Sequence, residues 1–285
     1  QKNYPDTKSD MYSAFIEKCF NWTTKNGYSA MMTPFTWMFI TTHEKLRKHI
    51  ISRGSISSLI QLEYSAFEDA TVPLCTFVLQ NQKYDTVGVY VRLSDFKGGM
   101  DVQAEKIKEV VMHNNNDNKF VIDDENFNII PGAPIAYWIG NFKIFDFEKI
   151  EQKYVSGGRT KTHNNDKYVR KWWEVENYKR WQPYANGGEF RKWYGNNFDV
   201  VDWSQEATEL YASKGGLYNK KFVGKSGICW NLITSAKNGF RIKESEFHYS
   251  SGSPTIFSDQ KSSDSMYLGF LNSIVSYYLL QVINP

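Results

Sequence analysis

The sequence predicts an α/β domain followed by an α+β domain, and three observations carry that expectation. The first hundred residues run helix, short apolar strand, helix and paired apolar strands. From Asn141 onward the chain changes to short strand-like runs, frequent turns and many aromatics. It closes with an apolar stretch at helical spacing, Met266–Ile283.

Each element has its own signal. Thr7-Lys8-Ser9-Asp10 has capping-box spacing, and Tyr12, Phe15, Ile16, Cys19 and Phe20 follow at i, i+3, i+4 intervals. Asn26-Gly27 ends that helix, and Tyr28–Thr33 reads as a buried strand stopped by Pro34. Thr42 is placed to cap a second helix through Arg53, with Leu46 and Ile50 inward and Gly54 as terminator. Ile56–Leu62 and Val72–Leu79 are β-branched and aromatic runs that predict neighbouring strands. A short connection between them carries Phe67, flanked by Glu68, Asp69 and Thr71. This order has parallel character, and so few strands would leave an open edge. The expectation is the second half of a larger sheet.

Tyr90–Phe96 predicts a further strand, and Val102, Ile107, Val110 and Val111 an amphipathic helix ahead of the Asn-rich breaker His113–Lys119. The expected organisation is residues 1–100 as one domain, 101–145 as a connecting segment with Pro131 and Pro134, and 146–285 as the second domain. Within the latter, Val155–Thr162 reads as a flexible glycine turn, and Gly227–Ser235 and Phe247–Phe257 as strands. The closing helix is expected to turn Leu268, Leu271, Ile274, Val275 and Tyr278 inward.

A hydrophobic content of 41% and charged content of 23% are those of a water-soluble globular chain, and no apolar run reaches spanning length. The aromatic content, 16%, exceeds what a core needs and points to stacking surfaces or an interface. The net charge of +3 argues for no partner, but its distribution does. Residues 151–195 hold ten Lys/Arg against five Asp/Glu, together with four of the nine Trp. Cys19, Cys75 and Cys229 are odd in number and sit in apolar runs, which suits buried thiols in a reducing compartment.

There is no GxGxxG, P-loop, GxSxG, CxxC or HExxH, and the five His form no metal constellation. Asp146 with Glu151 and Lys153 makes a loose acid–acid–Lys triplet of the kind that arises by chance in charged chains. The Lys/Arg–Trp/Tyr interleaving of Tyr168–Tyr194 is a better signal. Cations supply sequence-independent phosphate contacts, and glycine turns let backbone N–H groups approach phosphate oxygens. Those Trp could equally form the core of a small β domain whose solvated face carries the charges. Phe67 likewise has two readings, a ring packed beneath its own loop or one presented to stack a nucleobase.

DMYSAFIEKCF (Asp10–Phe20), NGYSAMMTPFTWMF (Asn26–Phe39) and Leu46–Leu79 resemble the back half of an adenine-specific DNA methyltransferase of the amino-methylating type. Gly157–Val175 and Trp181–Trp203, with its GGEFRKWYGNN, narrow the resemblance. They are similar to the large bacteriophage-exclusion (BREX, PglX-type) methyltransferases and to fused restriction–modification enzymes. The resemblance implies the C-terminal half of a Rossmann-like methyltransferase sheet followed by a DNA target-recognition domain. Phe15 would then pack against the adenine of S-adenosylmethionine, and Phe67 would stack the extruded target adenine. Arg159, Lys161, Thr162, Asn164, Arg170, Lys171, Arg191 and Lys192 are the expected DNA-binding residues.

The Asn-Pro-Pro-Tyr motif and the glycine-rich cofactor loop are absent from these residues, and the link from Val175 to Trp181 is short for the family. No catalytic residue is therefore assigned here; the motif is expected upstream of Gln1, in a parent protein of which this is a fragment. The expected reaction is methyl transfer to N6 of adenine in duplex DNA, with no metal, in the bacterial cytoplasm. Other phage-defence or restriction subunits are the further partners implied. The competing class is a non-catalytic DNA-binding specificity module.

Overall fold

The computed structural model describes the chain except residues 1–4, 8, 65, 68–71, 84–86, 114–116, 218–219, 235–236, 259–263 and 284–285. The chain divides into two units, Gln1–Phe147 with Leu280–Pro285, and Glu148–Leu279. Among the described residues both units mix helices with sheets.

In the first unit, helix α1 (Met11–Trp22) starts without the expected capping box. The Thr7 hydroxyl donates instead to Glu17 Oε2 (2.8 Å), and Ser13 Oγ donates to the Thr7 and Asp10 carbonyls. Ile16 and Phe20 are fully buried, whereas Phe15 is 49% exposed, so one face alone of the apolar pattern enters the core. Strand β1 (Tyr28–Pro34) is not the buried strand its composition suggests. It is a sheet edge, and its period-2 alternation leaves Tyr28 and Met32 exposed. Helix α2 (Glu44–Arg53) begins two residues past Thr42, because Thr41–His43 closes a 3₁₀ turn first.

Strands β2 (Ser55–Gln61), β3 (Leu74–Gln80), β4 (Gly88–Arg92) and β5 (Lys119–Ile122) complete a sheet of order β1-β3-β2-β4-β5. The parallel character is confined to β2 and β4; every other neighbouring pair is antiparallel. Gly54 ends α2 through crowding, since its backbone is extended. A Cβ there would lie 2.3 Å from the Gln80 carbonyl and 2.6 Å from Phe20 Cζ.

Residues 101–145, expected as a connecting segment, contribute most of helix α3 (Gly99–Met112), all of β5 and a stretch of core to this first unit. In that stretch Phe127, Ile130, Ile135, Ala136, Tyr137 and Ile139 are buried with Trp37, Leu46 and Phe77. Prolines forbid a regular element there, so its carbonyls need other donors, and Arg47 supplies them. The buried guanidinium donates to the carbonyls of Trp37 (2.8 Å), Ile40 (2.8 Å), Gly132 (2.6 Å) and Ala133 (2.9 Å). Asp124 provides a second buried tie. Its Oδ2 accepts from the Ile56 N–H at 2.5 Å, and its Oδ1 from the Tyr90 hydroxyl.

The second unit has short strands. They are β6 (Val155–Ser156), β7 (Val169–Lys171), β8 (Trp181–Ala185), β9 (Asp199–Asp202), β10 (Gly227–Cys229), β11 (Arg241–Lys243), β12 (His248–Tyr249) and β13 (Thr255–Phe257). They form two four-stranded sheets, β11-β10-β13-β6 and β12-β8-β9-β7. Helices α4 (Asn165–Tyr168) and α5 (Gln205–Ser213) flank the latter in sequence. The core is two clusters, one of Tyr168, Tyr184, Val201 and Tyr211 and one of Phe222, Tyr249 and Phe257.

The closing apolar stretch is two helices, α6 (Asp264–Leu271) and α7 (Ile274–Ile283), bent by 69°. Asn272 makes the break. Its side-chain amide pairs with both backbone groups of Phe240, and its carbonyl accepts from Lys192 Nζ. The Ser276 N–H, which would otherwise take that carbonyl, goes to Ser273 Oγ. Leu268 and Leu271 are buried as expected, but Ile274, Val275 and Tyr278 are exposed because the break resets the helical phase. Among the described residues no single helix is long and apolar enough to cross a membrane.

Two outcomes follow from the buried ties. Arg47→Met should lower unfolding stability by on the order of 3–5 kcal/mol, since four carbonyls, two of them in fully buried bonds, lose a charged donor. Arg47→Lys should not restore it, because one ammonium cannot span four acceptors; a denaturant midpoint for Arg47→Lys equal to wild type would refute the account. Burial raises the Asp124 carboxyl to about 6, so between about pH 4 and pH 6 the folded protein holds a proton that the unfolded chain has lost. Its contribution therefore falls as pH rises through that window. The stability difference between wild type and Asp124→Asn should shrink by on the order of 2–3 kcal/mol from pH 4 to pH 7. A pH-independent difference would disprove it.

Candidate nucleic-acid interface

The candidate surface is built on loops fixed by backbone bonds. At Gly157 and Gly158 the backbone takes positive φ (147° and 70°), and the Tyr249 hydroxyl donates to the Gly157 carbonyl. The Thr160 N–H then bonds the Tyr249 carbonyl (2.8 Å), and the Lys161 N–H bonds Gly216 (2.7 Å). Thr162 is buried, with its hydroxyl donating to Asn165 Oδ1 (2.6 Å). Asn164 caps α4, its Oδ1 accepting from the Lys167 N–H (3.1 Å).

Strand β7 follows at once and pairs antiparallel with β9, which sets Lys171 opposite Asp199; their side chains meet at 2.6 Å. Arg170 turns back to the Asp166 and Val169 carbonyls. Beyond β7 the Trp172 N–H bonds the Phe198 carbonyl, and Trp172, Trp173 and Phe198 meet edge to face. These rings are 49%, 58% and 48% exposed. Trp193 has positive φ (72°), is held by backbone bonds with Phe240 and Ile242, and keeps its ring exposed. The Trp residues of this stretch are thus absent from the unit's core, which Tyr and Val fill instead.

The structure places the expected contact residues in four groups. Lys161, Thr162 and Asn164 line an open polar cavity of about 430 Å³ with Asn186, Ser250 and Ser251. Arg159 lines a cavity of about 320 Å³ that shares Ser250 and Ser251. Arg170 and Lys171 lie on β7. Arg191 is exposed, 3.6 Å from Glu189, whereas Lys192 is spent on Asn272.

In the first unit Phe67 is half-buried against Leu62, Ala66, Val91, Leu93 and Val110. Its expected acidic and Thr neighbours, Glu68, Asp69 and Thr71, lie outside the described residues. Phe15 stands exposed on α1.

Sequence reasoning missed Asn186, Ser250 and Ser251, which come to the cavity from far along the chain and carry no motif. It also missed a third cavity, about 340 Å³ and mostly apolar, lined by Trp203, Phe222, Phe247 and His248. There His248 stacks on Trp203 with ring centroids 3.6 Å apart. Burial, helped by nearby Lys243, pushes the His248 imidazole down to about 4, so it is neutral at physiological pH. Among the described residues no group of His, Cys, Asp and Glu could hold a metal ion.

Residues 1–67 match the model of the Eco57I restriction-modification methylase family. The whole chain aligns with the adenine-specific methyltransferase PglX of Lacticaseibacillus casei (strain Zhang) at 30% identity. It also aligns end to end with the adenine-specific methyltransferase BrxX of Escherichia coli O9:H4 (strain HS) at 27% identity. It spans 26% and 24% of those two proteins. Among solved structures, the Type IIL restriction-modification enzyme MmeI in complex with DNA matches 96% of this chain and 39% of its own, with TM-score 0.55 and 12% identity. A nuclease-deletion mutant of the Type ISP enzyme LlaGI, bound to a DNA substrate mimic, matches 87% of this chain and 30% of its own, with TM-score 0.51 and 8% identity. At these identities the likeness is one of fold.

The two adjacent cations Arg191 and Lys192 should behave differently. Lys192→Ala should lower the melting temperature by stripping the Asn272 carbonyl. Arg191→Ala should leave it unchanged and reduce the slope of log affinity for duplex DNA against log salt by about 0.9. Equal effects of both variants on melting and slope would contradict the placement.

Proposed function

We propose that this chain, homologous along its whole length to the adenine-specific methyltransferases PglX and BrxX, is part of a site-specific DNA methyltransferase. The reaction is methyl transfer from S-adenosylmethionine to N6 of adenine in duplex DNA, marking host DNA in phage defence or restriction–modification in the bacterial cytoplasm. The end-to-end alignment with two proteins of that description carries the reading. On it, the first unit is the back half of a Rossmann-like catalytic domain, and the second is the target-recognition domain. Other subunits of such a defence system are its expected partners.

The residues fit their proposed parts. Phe15 offers a ring with no core role, suited to be one wall for the cofactor's adenine. The cofactor supplies the methyl group. Phe67, packed on one side and half-exposed, is suited to receive an adenine rotated out of the duplex. Extrusion costs on the order of a few kcal/mol, and base–aromatic stacking returns roughly 1–3 kcal/mol of it. Arg159, Lys161, Arg170, Lys171 and Arg191 would supply phosphate contacts that position the duplex. Thr162 and Asn164 would hold the loop that presents them, since their side chains are committed within it.

The test is kcat/KM of the full-length protein on matched and target-unpaired duplexes. Phe67→Ala should reduce methylation about 5- to 150-fold. Phe67→Trp and Phe67→Tyr should retain most of it, and an unpaired target adenine should partly rescue Phe67→Ala. The accompanying stability loss should stay below the roughly 3–5 kcal/mol of a fully buried Phe. DNA binding without any methylation would instead favour the specificity module.

A further inference from the structure

Three stretches distant in sequence wall the open polar cavity of about 430 Å³: the loop from Thr160 to Asn165, the end of β8 with Asn186, and Ser250 to Gly252. Strand pairing brings them together. Strands β8 and β12 run parallel with Tyr184 opposite His248 and Ala185 opposite Tyr249. The Ser250 N–H extends the ladder to the Ala185 carbonyl at 2.9 Å, which carries Asn186 alongside Ser250 and Ser251. The backbones then touch. A Cβ on Gly187, itself at φ 86°, would lie 2.8 Å from the Gly252 carbonyl, and one on Gly252 2.9 Å from that of Asn186. Asn186 therefore sits on a fixed backbone, half-buried at the cavity wall.

The three asparagines of this cavity are not equivalent. Asn164 Oδ1 is engaged by the Lys167 N–H, and Asn165 Oδ1 by the Thr162 hydroxyl. Among the described residues the Asn186 side chain makes no hydrogen bond. Bidentate reading of adenine needs both ends of one amide at once, the oxygen accepting from N6 and the nitrogen donating to N7. Asn186 alone of the three has both ends of its amide uncommitted among the described residues, and its half-exposed place at the cavity wall leaves both open to a ligand.

We infer that Asn186 is a specificity-determining residue whose side-chain amide reads the N6 and N7 edge of one adenine in the recognition site. This rests on the second unit being the DNA-reading part. Ser250 and Gly187 hold the position of Asn186 and carry no base preference themselves.

The experiment scores methylation by the full-length protein on duplexes varied one position at a time, for wild type, Asn186→Ala and Asn186→Asp, with melting temperatures alongside. Wild type should prefer adenine at one non-target position by about 5- to 150-fold, and Asn186→Ala should lose that preference while keeping the others. Asn186→Asp keeps the shape but can only accept, so its preference there should move towards cytosine, whose N4 donates. It carries the test if Asn186→Ala folds poorly. Replacing that adenine by 7-deazaadenine, which lacks the N7 acceptor, should slow wild type and leave Asn186→Ala unaffected. Unchanged preferences in both variants, or a loss uniform across all sequences, overturn the inference and leave the wider reading standing. A wild type with no sequence-dependent methylation overturns both.

Discussion

Arg47 sets a protonated guanidinium among four backbone carbonyls, and the path of three segments of the first unit depends on that arrangement. Burial pulls its pKa down to about 10, which leaves it charged at neutral pH. Charged donors make stronger bonds than neutral ones, and a planar fork reaches acceptors on several segments at once. Two of those acceptors belong to Gly132 and Ala133, both at positive φ, a conformation that costs an alanine about 1–2 kcal/mol. The guanidinium thus holds a turn the chain would otherwise leave. The residues that follow, Ile135 to Tyr137, reach the core because of it, and the Tyr137 hydroxyl then ties back to Gln61 Oε1 at 2.7 Å.

The second unit is held differently. Its strands are two to five residues long, so ladder bonds alone give each little cooperativity. Buried tyrosines compensate by pairing a large apolar ring with a hydroxyl that satisfies a backbone carbonyl in a loop or at a strand end. Tyr184 donates to Thr160, Tyr211 to Asp202 and Tyr249 to Gly157. The loops are thereby fixed from beneath, while their outer faces keep exposed rings and cations. A fold of this kind can change loop side chains without disturbing its core, which suits a surface that must discriminate among similar partners.

The glycines of this unit serve the same end. Gly187 and Gly252 allow two backbones to touch, so that residues sixty-odd positions apart share one cavity wall. An arrangement set by main-chain contact stays in place when a neighbouring side chain is replaced. That is the property a reading site needs if each contact is to report one base.

The sequence by itself determined the kinds of elements and much of their order. Periodicity placed α1, α2 and α3, and local composition placed the β2–β3 pair and the basic, aromatic stretch, because these depend on neighbours a few residues away. The cation and ring types expected at an interface were legible for the same reason. What each side chain does was decided only by tertiary structure. Phe15 and Ile274 have the spacing of core residues yet stand exposed, since burial depends on which element arrives opposite. Residues 101–145 read as a connector until Arg47 met their carbonyls. Lys192 and Arg191 are adjacent and chemically alike, but Asn272, eighty residues on, takes one and leaves the other. Asn164 and Asn186 are the same residue type in one cavity; a helix start three residues on takes Asn164 as its cap, whereas strand pairing across the fold brings Asn186 to the wall, and that placement is not written in local sequence.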